Sequence, residues 1–329
     1  MTGGAGFIGS ELVRQLAARG ARVAVVDNLV NGTRENLAGC PAGSVTLVEA
    51  DIRASSGYAS LLREADIVYH LACLGVRHSV HSPIENHEVN ATGTLTLLTA
   101  SRAAGVPKFV YVSSSEVYGT AQWTPMSESH PTCPATVYGG SKLAGEAYAR
   151  AFHLTYEYPT VVVRPFNAYG PRSHHEGDSG EVIPKFLLRC LAGEPMVIFG
   201  DGAHTRDFTY VSDTARGIIL AGTEAAAVGR TINLGSGAEV TINDLARSVA
   251  QVAGRQDAGR VHHEGRPGDV RRLCADVTLA RGLLGYDARV PLVEGLSRLL
   301  EWYRAQGVPA HELLRNEIVR NWDVKPVAP

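Results

Sequence analysis

Gly3-Gly4-Ala5-Gly6-Phe7-Ile8-Gly9 spaces its glycines as G-x-x-G-x-x-G directly ahead of an amphipathic run, Gly6–Arg19, that reads as a helix. Glycine at those places lets backbone N–H groups and the helix N-terminus come close to a pyrophosphate. A turn of this kind can also be purely structural, so the residues downstream of it decide. The next β-rich run, Val23-Ala24-Val25-Val26, ends in Asp27-Asn28. An acid at that strand end accepts hydrogen bonds from adenosine ribose hydroxyls and repels a 2′-phosphate, which selects NAD over NADP. After the following strand, Glu49-Ala50-Asp51-Ile52 could set Asp51 near the adenine amino group, and a helix N-cap explains the same aspartate almost as well.

Working outward from this turn, short β-rich runs at Arg22–Asp27, Val45–Glu49, Asp66–Leu71, Lys108–Ser113 and Thr160–Arg164 alternate with helix-length runs near Ser55–Glu64, Pro83–Ala104 and Ala135–Thr155. Parallel strands need a crossover, usually helical, so the pattern predicts an α/β fold: a Rossmann-like doubly wound parallel sheet over residues 1–165. After Pro165 the texture changes to loops rich in Gly, Pro and His (Pro171–Gly180), short strands (Met196–Phe199, Thr231–Leu234) and helices near Ser179–Ala192, Ser212–Ala226, Thr241–Val252 and Pro291–Arg304. This predicts a smaller C-terminal α/β substrate lobe over 166–329, with a stretch at about 204–227 returning to the first domain. The strand that should precede the glycine turn is missing, because the chain opens at Met1-Thr2-Gly3. Loss of a central strand would leave its neighbours with unpaired backbone groups, so the native start is expected upstream. The Pro-ended tail after Trp322 is expected to be mobile.

At 329 residues and 45% hydrophobic composition the chain can build a sizeable core. Its net charge of −2 provides no footprint for nucleic acid or an anionic membrane, and neither partner is expected. The scattered, odd set Cys40, Cys73, Cys133, Cys190 and Cys274 argues for free thiols in a reducing cytoplasm rather than a disulfide framework or zinc cluster. No run reaches the length of a transmembrane helix or resembles a secretory leader.

Tyr138-Gly139-Gly140-Ser141-Lys142 places a phenol and an ammonium one helical turn apart on one face. A fixed positive charge beside a tyrosine favours phenolate, a usable base for a sugar hydroxyl near neutrality. With 12 tyrosines and lysines only at 108, 142, 185 and 325, chance supplies only about 0.15 such pairs in the whole chain. Upstream, Ser113-Ser114-Ser115-Glu116 leaves a strand end, where open α/β sheets place their ligands.

Together, the glycine turn, Asp27, the set Ser114/Tyr138/Lys142 and Arg164-Pro165-Phe166-Asn167 resemble the extended short-chain dehydrogenase/reductase family, and within it the sugar-nucleotide epimerases and dehydratases, over nearly the whole chain. The resemblance implies that Tyr138 removes the proton of the sugar C4 hydroxyl, that Ser114 hydrogen-bonds the same group, and that Lys142 holds the nicotinamide ribose. A 4-keto sugar results, and NAD recycles in place. The resemblance also implies cofactor contacts from Gly3, Gly6, Phe7, Ile8 and Gly9, from Asp27, Asn28, Gly32, Asp51 and Ile52, and from Leu71, Ala72, Asn90 and Pro165. Asn167, Val182, Arg206, Arg266 and Asp269 match positions that bind the substrate, with the arginines on its diphosphate. A homodimer through the helices Pro83–Ala104 and Ala135–Thr155 is implied by analogy.

The fate of the 4-keto sugar turns on Glu116. Dehydratases and decarboxylases of the family carry Glu here, and a 4-keto group acidifies the C5 proton that such a base could remove. This favours 4,6-dehydration. Ser115 departs from the Asp of dTDP-glucose dehydratases, yet a Ser-Glu pair also resembles UDP-N-acetylglucosamine dehydratases. Ser79-Val80 and Pro83 resemble the 4-epimerases, which keeps 4-epimerisation of a UDP-sugar as the alternative. Decarboxylation of a UDP-glucuronate is disfavoured, because the arginine of that branch aligns with Leu273 while Arg271 and Arg272 are out of place. A non-enzymatic NAD-sensing regulator would not need Tyr138 and Lys142. His78, His81, His87, His174, His175, His262 and His263 show no metal-binding spacing and read as loop or surface residues. Cys73 reads as a small packing residue.

Overall fold

The computed structural model describes residues 1–177, 179–266 and 269–323. Its first half runs α1 (Phe7–Ala18), β1 (Val23–Asp27), β2 (Val45–Glu49), α2 (Ala59–Leu62), β3 (Ile67–His70), α3 (Val76–His81), α4 (Pro83–His87), α5 (Gly93–Ala103), β4 (Lys108–Val112), α6 (Val137–Tyr156) and β5 (Thr160–Pro165). The second half adds short strands β6 (Ala168–Tyr169), β7 (Met196–Phe199), β8 (Thr205–Arg206) and β9 (Thr209–Tyr210), then β10 (Thr231–Leu234), β11 (Val240–Thr241) and β12 (Arg260–His263). Its helices are α7 (Val182–Ala192), α8 (Val211–Thr223), α9 (Ile242–Val252), α10 (Thr278–Leu284), α11 (Leu292–Ala305) and α12 (Ala310–Leu313).

The main sheet is parallel throughout. β1 pairs with β2, and β3, β4, β5 and β10 follow one another in that order. Between β1 and β3 lies the N-terminus: Thr2 is bridged in parallel to Val26 on one side and His70 on the other, and Gly3 N–H donates to Val26 O at 2.9 Å. One bridged residue thus stands between β1 and β3, where a strand is expected before the glycine turn. A sheet covered on both faces demands near-continuous apolar strands. Val110, Val112, Val161 and Val163 accordingly pack with Leu12 of α1 and Ile218 and Ile219 of α8, while Phe109, Tyr111 and Val162 pack with Leu97, Leu98, Ala149 and Phe152 of α5 and α6.

Two pieces of the later half belong spatially to this sheet: β10 extends it beside β5, and α8 packs across α1. The rest forms a separate core around Leu187, Leu188, Ile198, Leu245, Val249, Leu296 and Leu299, from α7, β7, α9 and α11.

Two helices differ from their sequence expectation. The run Pro83–Ala104 is divided into α4, a π-helical turn at Glu88–Thr92 and α5, with α3 added before it. The cause is polar: Asn86 and Asn90 turn inward and donate to Leu74 O at 3.0 and 2.9 Å. The run Ser55–Glu64 shrinks to a 3-10 turn at Ser55–Gly57 and the single turn α2, with Tyr58 buried between them. The tail beyond Asp323 and the pair Pro267-Gly268 next to Arg266 lie outside the described residues.

Candidate active site

One continuous cavity of about 720 Å³ runs from the Gly3–Gly9 turn, across the ends of β1, β3, β4 and β5, to Val182, Phe199, Arg266 and Trp322. At its first end the glycines have distinct reasons. A Cβ on Gly9 would lie 2.0 Å from Gly3 O, and one on Gly3, whose φ is +69°, would lie 2.5 Å from Ala72 N. Gly32 is excluded from bearing a side chain by Ala5 backbone at 2.7 Å. Gly6 meets nothing nearer than 3.5 Å, so a side chain there would project into the cradle itself. Gly6 caps α1 without a side-chain bond, leaving the first-turn N–H groups of the helix for an anion.

Asp27 is buried at the end of β1 and binds the turn. Its Oδ2 accepts from Ala5 N at 2.9 Å and its Oδ1 from Leu29 N at 2.9 Å. Each oxygen keeps a lone pair for a ribose hydroxyl. Asn28, Gly32, Ile52, Leu71, Ala72 and Pro165 line the same stretch of cavity, as do Phe7 and Ile8. Asp51 lines it too, but its carboxylate is taken by Arg53 at 2.6 Å, which holds it below the usual carboxylate range. Asn90 is the one cofactor candidate that does not reach the cavity. Its amide is fully used, with Oδ1 accepting from Leu74 N and Nδ2 donating to Leu74 O and Ser141 Oγ. It shapes the wall from behind.

In the centre, α6 begins at Thr136, whose hydroxyl accepts from Gly139 N at 3.1 Å, so Tyr138 sits in the first helical turn and Lys142 one turn later. Lys142 Nζ donates to Val112 O at 2.6 Å and lies 4.6 Å from the Tyr111 ring centroid, which ties the helix to the end of β4. Ser114 Oγ accepts from Glu116 N at 3.2 Å, and Ser115 is buried behind it. Ser114, Ser115, Glu116, Tyr138 and Lys142 all line the cavity. Beneath them Glu146 is fully buried, accepting from Ser113 Oγ at 2.6 Å, from Arg164 Nη2 at 2.6 Å and from Arg150 Nη1 at 2.9 Å.

The electrostatics revise one expectation. Burial raises Tyr138 well above the ordinary tyrosine value, with Cys73 adding to the rise and a hydrogen bond from Ser114 opposing it. Burial also lowers Lys142, whose ammonium is engaged by a carbonyl. Lysine alone therefore does not create a phenolate in this environment: desolvation of the phenol outweighs it. Glu116 is likewise raised by burial, against the opposing pull of Arg206 and Arg77.

At the far end, Asn167, Val182, Arg206, Arg266 and Asp269 converge on the cavity. Asn167 Oδ1 and Arg266 Nε are buried without a hydrogen-bond partner, as expected of groups that await a ligand. Asp269 is held by Arg206 Nη2 at 2.5 Å, so it orients that guanidinium. Among the cavity residues that were not assigned from sequence are Arg77, His204 and Trp322. Arg77 of α3 is a desolvated cation within electrostatic reach of Glu116 and Asp269. His204 lies near Asp269, and Trp322 comes from the C-terminal segment. His78, on α3, and His174, in a loop as read from sequence, also face the cavity. Cys73 lines it near Tyr138, and its proximity adds to the rise of the phenol.

The model of the NAD dependent epimerase/dehydratase family matches residues 1–235. The chain belongs to that family. Among curated members of the NAD dependent epimerase/dehydratase family, a UDP-glucose 4-epimerase of Mycolicibacterium smegmatis is 38% identical over 309 residues, covering 92% of this chain and 97% of that protein. A UDP-glucose 4-epimerase from Thermotoga maritima, solved with UDP-glucose, superposes with a TM-score of 0.88 at 34% identity, covering 93% of this chain and 98% of that one. A dTDP-glucose 4,6-dehydratase from Streptomyces venezuelae, solved with NAD, gives 0.86 at 34% identity over 92% and 96%. The chain is an NAD-dependent enzyme with a Rossmann-like fold, and the glycine cradle, Asp27 and the open N-terminus of α1 fit the dinucleotide.

Proposed function

We propose that this enzyme oxidises C4 of a nucleoside-diphosphate sugar, most simply a UDP-sugar, to a transient 4-keto sugar, with residues 1–165 serving the cofactor and the lobe within 166–329 holding the nucleotide. The observation that carries this reading is the placement of Tyr138, Ser114 and Glu116 midway along one cavity, between the glycine cradle and the Asn167/Arg206/Arg266 end. NAD, when bound, supplies the hydride acceptor and a positive charge near the phenol.

The chain's own groups then have separable duties. Tyr138 takes the proton of the C4 hydroxyl, and Ser114 hydrogen-bonds the same oxygen. Lys142, pinned to Val112 O, fixes the first turns of α6 against the strand end. Arg206, oriented by Asp269, and Arg266 neutralise the diphosphate. Glu116 is half-buried, its carboxyl raised above the ordinary glutamate value by desolvation, and as a base it would take the acidified C5 proton of a 4-keto sugar. This supports 4,6-dehydration. A second reading, 4-epimerisation, is favoured by Ser115, a buried hydroxyl standing where a carboxylic acid would be needed to protonate a leaving C6 hydroxyl. The same keto sugar reduced on its other face inverts C4.

The test is incubation of purified protein with UDP-glucose, UDP-N-acetylglucosamine, UDP-glucuronate and dTDP-glucose, with products analysed by mass and NMR. Loss of one water identifies the dehydratase, and unchanged mass with inverted C4 the epimerase. Absence of turnover of every one of these sugars, with NAD still bound, would count against the 4-keto reading and favour the NAD-sensing regulator. We further propose a cytoplasmic homodimer. Support comes from exposed Ile84, Leu95, Leu154 and Tyr156 on α4, α5 and α6, and from the absence among the described residues of a helix long and apolar enough to cross a membrane. A sedimentation measurement giving a monomer would remove the dimer.

A further inference from the structure

The segment after α12 is strapped across the far end of the cavity. Leu314 is buried in the core of the second lobe, and Gly177 N donates to Asn316 O at 2.8 Å. Glu317 is nearly buried and paired with Arg189 at 2.7 Å, and Lys185 Nζ donates to Ile318 O at 2.8 Å. These anchors come from α7 and the loop before it, and they deliver Trp322 to the cavity wall with only 8% of its surface exposed. There its ring meets Phe199 edge to face, with centroids 4.6 Å apart and planes at 87°. The Arg266 guanidinium lies 4.6 Å from the Phe199 centroid and 5.7 Å from that of Trp322. Val182, Phe186, Val197 and Ile242 complete an apolar slot beside this pair.

An apolar slot walled by two perpendicular aromatic rings, with a buried and unpartnered Arg266 Nε at its rim, matches a flat heterocycle attached to an anion. We propose that Trp322 forms one wall of the nucleobase site, so that the C-terminal strap of Leu314–Trp322 is part of the substrate-binding surface and sets nucleotide affinity. This rests on the nucleoside-diphosphate-sugar reading above. The strap lies beyond the segment that defines the family, since the family model ends at residue 235.

The probe is UDP without sugar, whose binding by calorimetry is independent of turnover. Trp322→Ala should weaken UDP by about tenfold or more, the scale of one lost aromatic stack, while Trp322→Phe should recover most of it. In turnover the loss should appear chiefly in KM, and affinity for NAD at the opposite end should not follow it. A second measurement serves if Trp322→Ala folds poorly. The chain has three tryptophans, so a Trp123→Phe/Trp302→Phe protein reports Trp322 fluorescence alone, which should change on saturation with UDP. Unchanged UDP affinity in Trp322→Ala, or silent Trp322 fluorescence while calorimetry shows UDP bound, would overturn the proposal and leave the functional reading intact. Failure of the unaltered enzyme to bind UDP, dTDP or GDP at all would overturn both.

Discussion

At the scale of single residues, the site places a phenol, a hydroxyl and a carboxyl around one point, and their environments separate their tasks. Burial raises Tyr138 above the ordinary tyrosine value, so an empty cavity favours the neutral phenol. Tyr138→Phe should lower kcat by roughly 10²–10⁴, the usual worth of a general base, with NAD affinity retained in calorimetry. Retained turnover would remove Tyr138 from its role. Glu116 is raised above the ordinary glutamate value, so if it acts as the C5 base, the acid limb of the pH–rate profile should lie above the normal carboxylate range. Glu116→Gln should abolish solvent exchange at C5 of the 4-keto sugar, and undiminished exchange would reassign that base. The Y-x-x-x-K pair was legible in sequence because one helix fixes its geometry. Arg77, His204 and Trp322 were not, because their placement depends on how three distant segments fold over the cavity, and nothing local marks it.

At the scale of elements, α6 serves as both scaffold and catalyst carrier. One face brings Tyr138 and Lys142 to the cavity, and two turns after Tyr138 Glu146 joins Arg164 of β5 to Ser113 at the end of β4. Breaking one partner of a buried ion pair leaves an uncompensated charge. Glu146→Ala should therefore cost about 3–5 kcal/mol in urea unfolding. Burial alone would raise Glu146, but Arg164, Ser113 and Arg150 outweigh it and hold its pKa below the ordinary 4.5. A carboxylate with a depressed folded pKa adds stability above its unfolded value and loses it as pH falls through the folded one. The Glu146 contribution should thus be constant at neutral pH and fall away progressively once pH drops below the ordinary glutamate value in unfolding titrations. In α1, Gly9→Ala would drive a methyl into Gly3 O, and NAD affinity should fall with it in a binding titration. Strand positions were readable because apolar runs have to fill both faces of the sheet. The broken helix after β3 was not, because its division follows from Asn86 and Asn90 turning toward a carbonyl remote in sequence.

At the scale of the whole molecule, the parallel sheet and the smaller α-rich core meet along the cavity, and the chain crosses between them more than once. The α/β alternation announced the sheet, and the change of texture after Pro165 pointed to the second lobe. The return of β10 to the sheet was hidden, since a four-residue apolar strand looks alike in either lobe. The central claim is that a single site withdraws hydride from C4 and restores it within the same molecule. The most direct test uses a nucleotide sugar deuterated at C4, drawn from the substrates that turn over, without added cofactor beyond what the enzyme holds. Deuterium should remain in the product, at C4 if the enzyme is an epimerase or moved to C6 if it is a dehydratase. Product formed with the label lost to solvent would contradict the account.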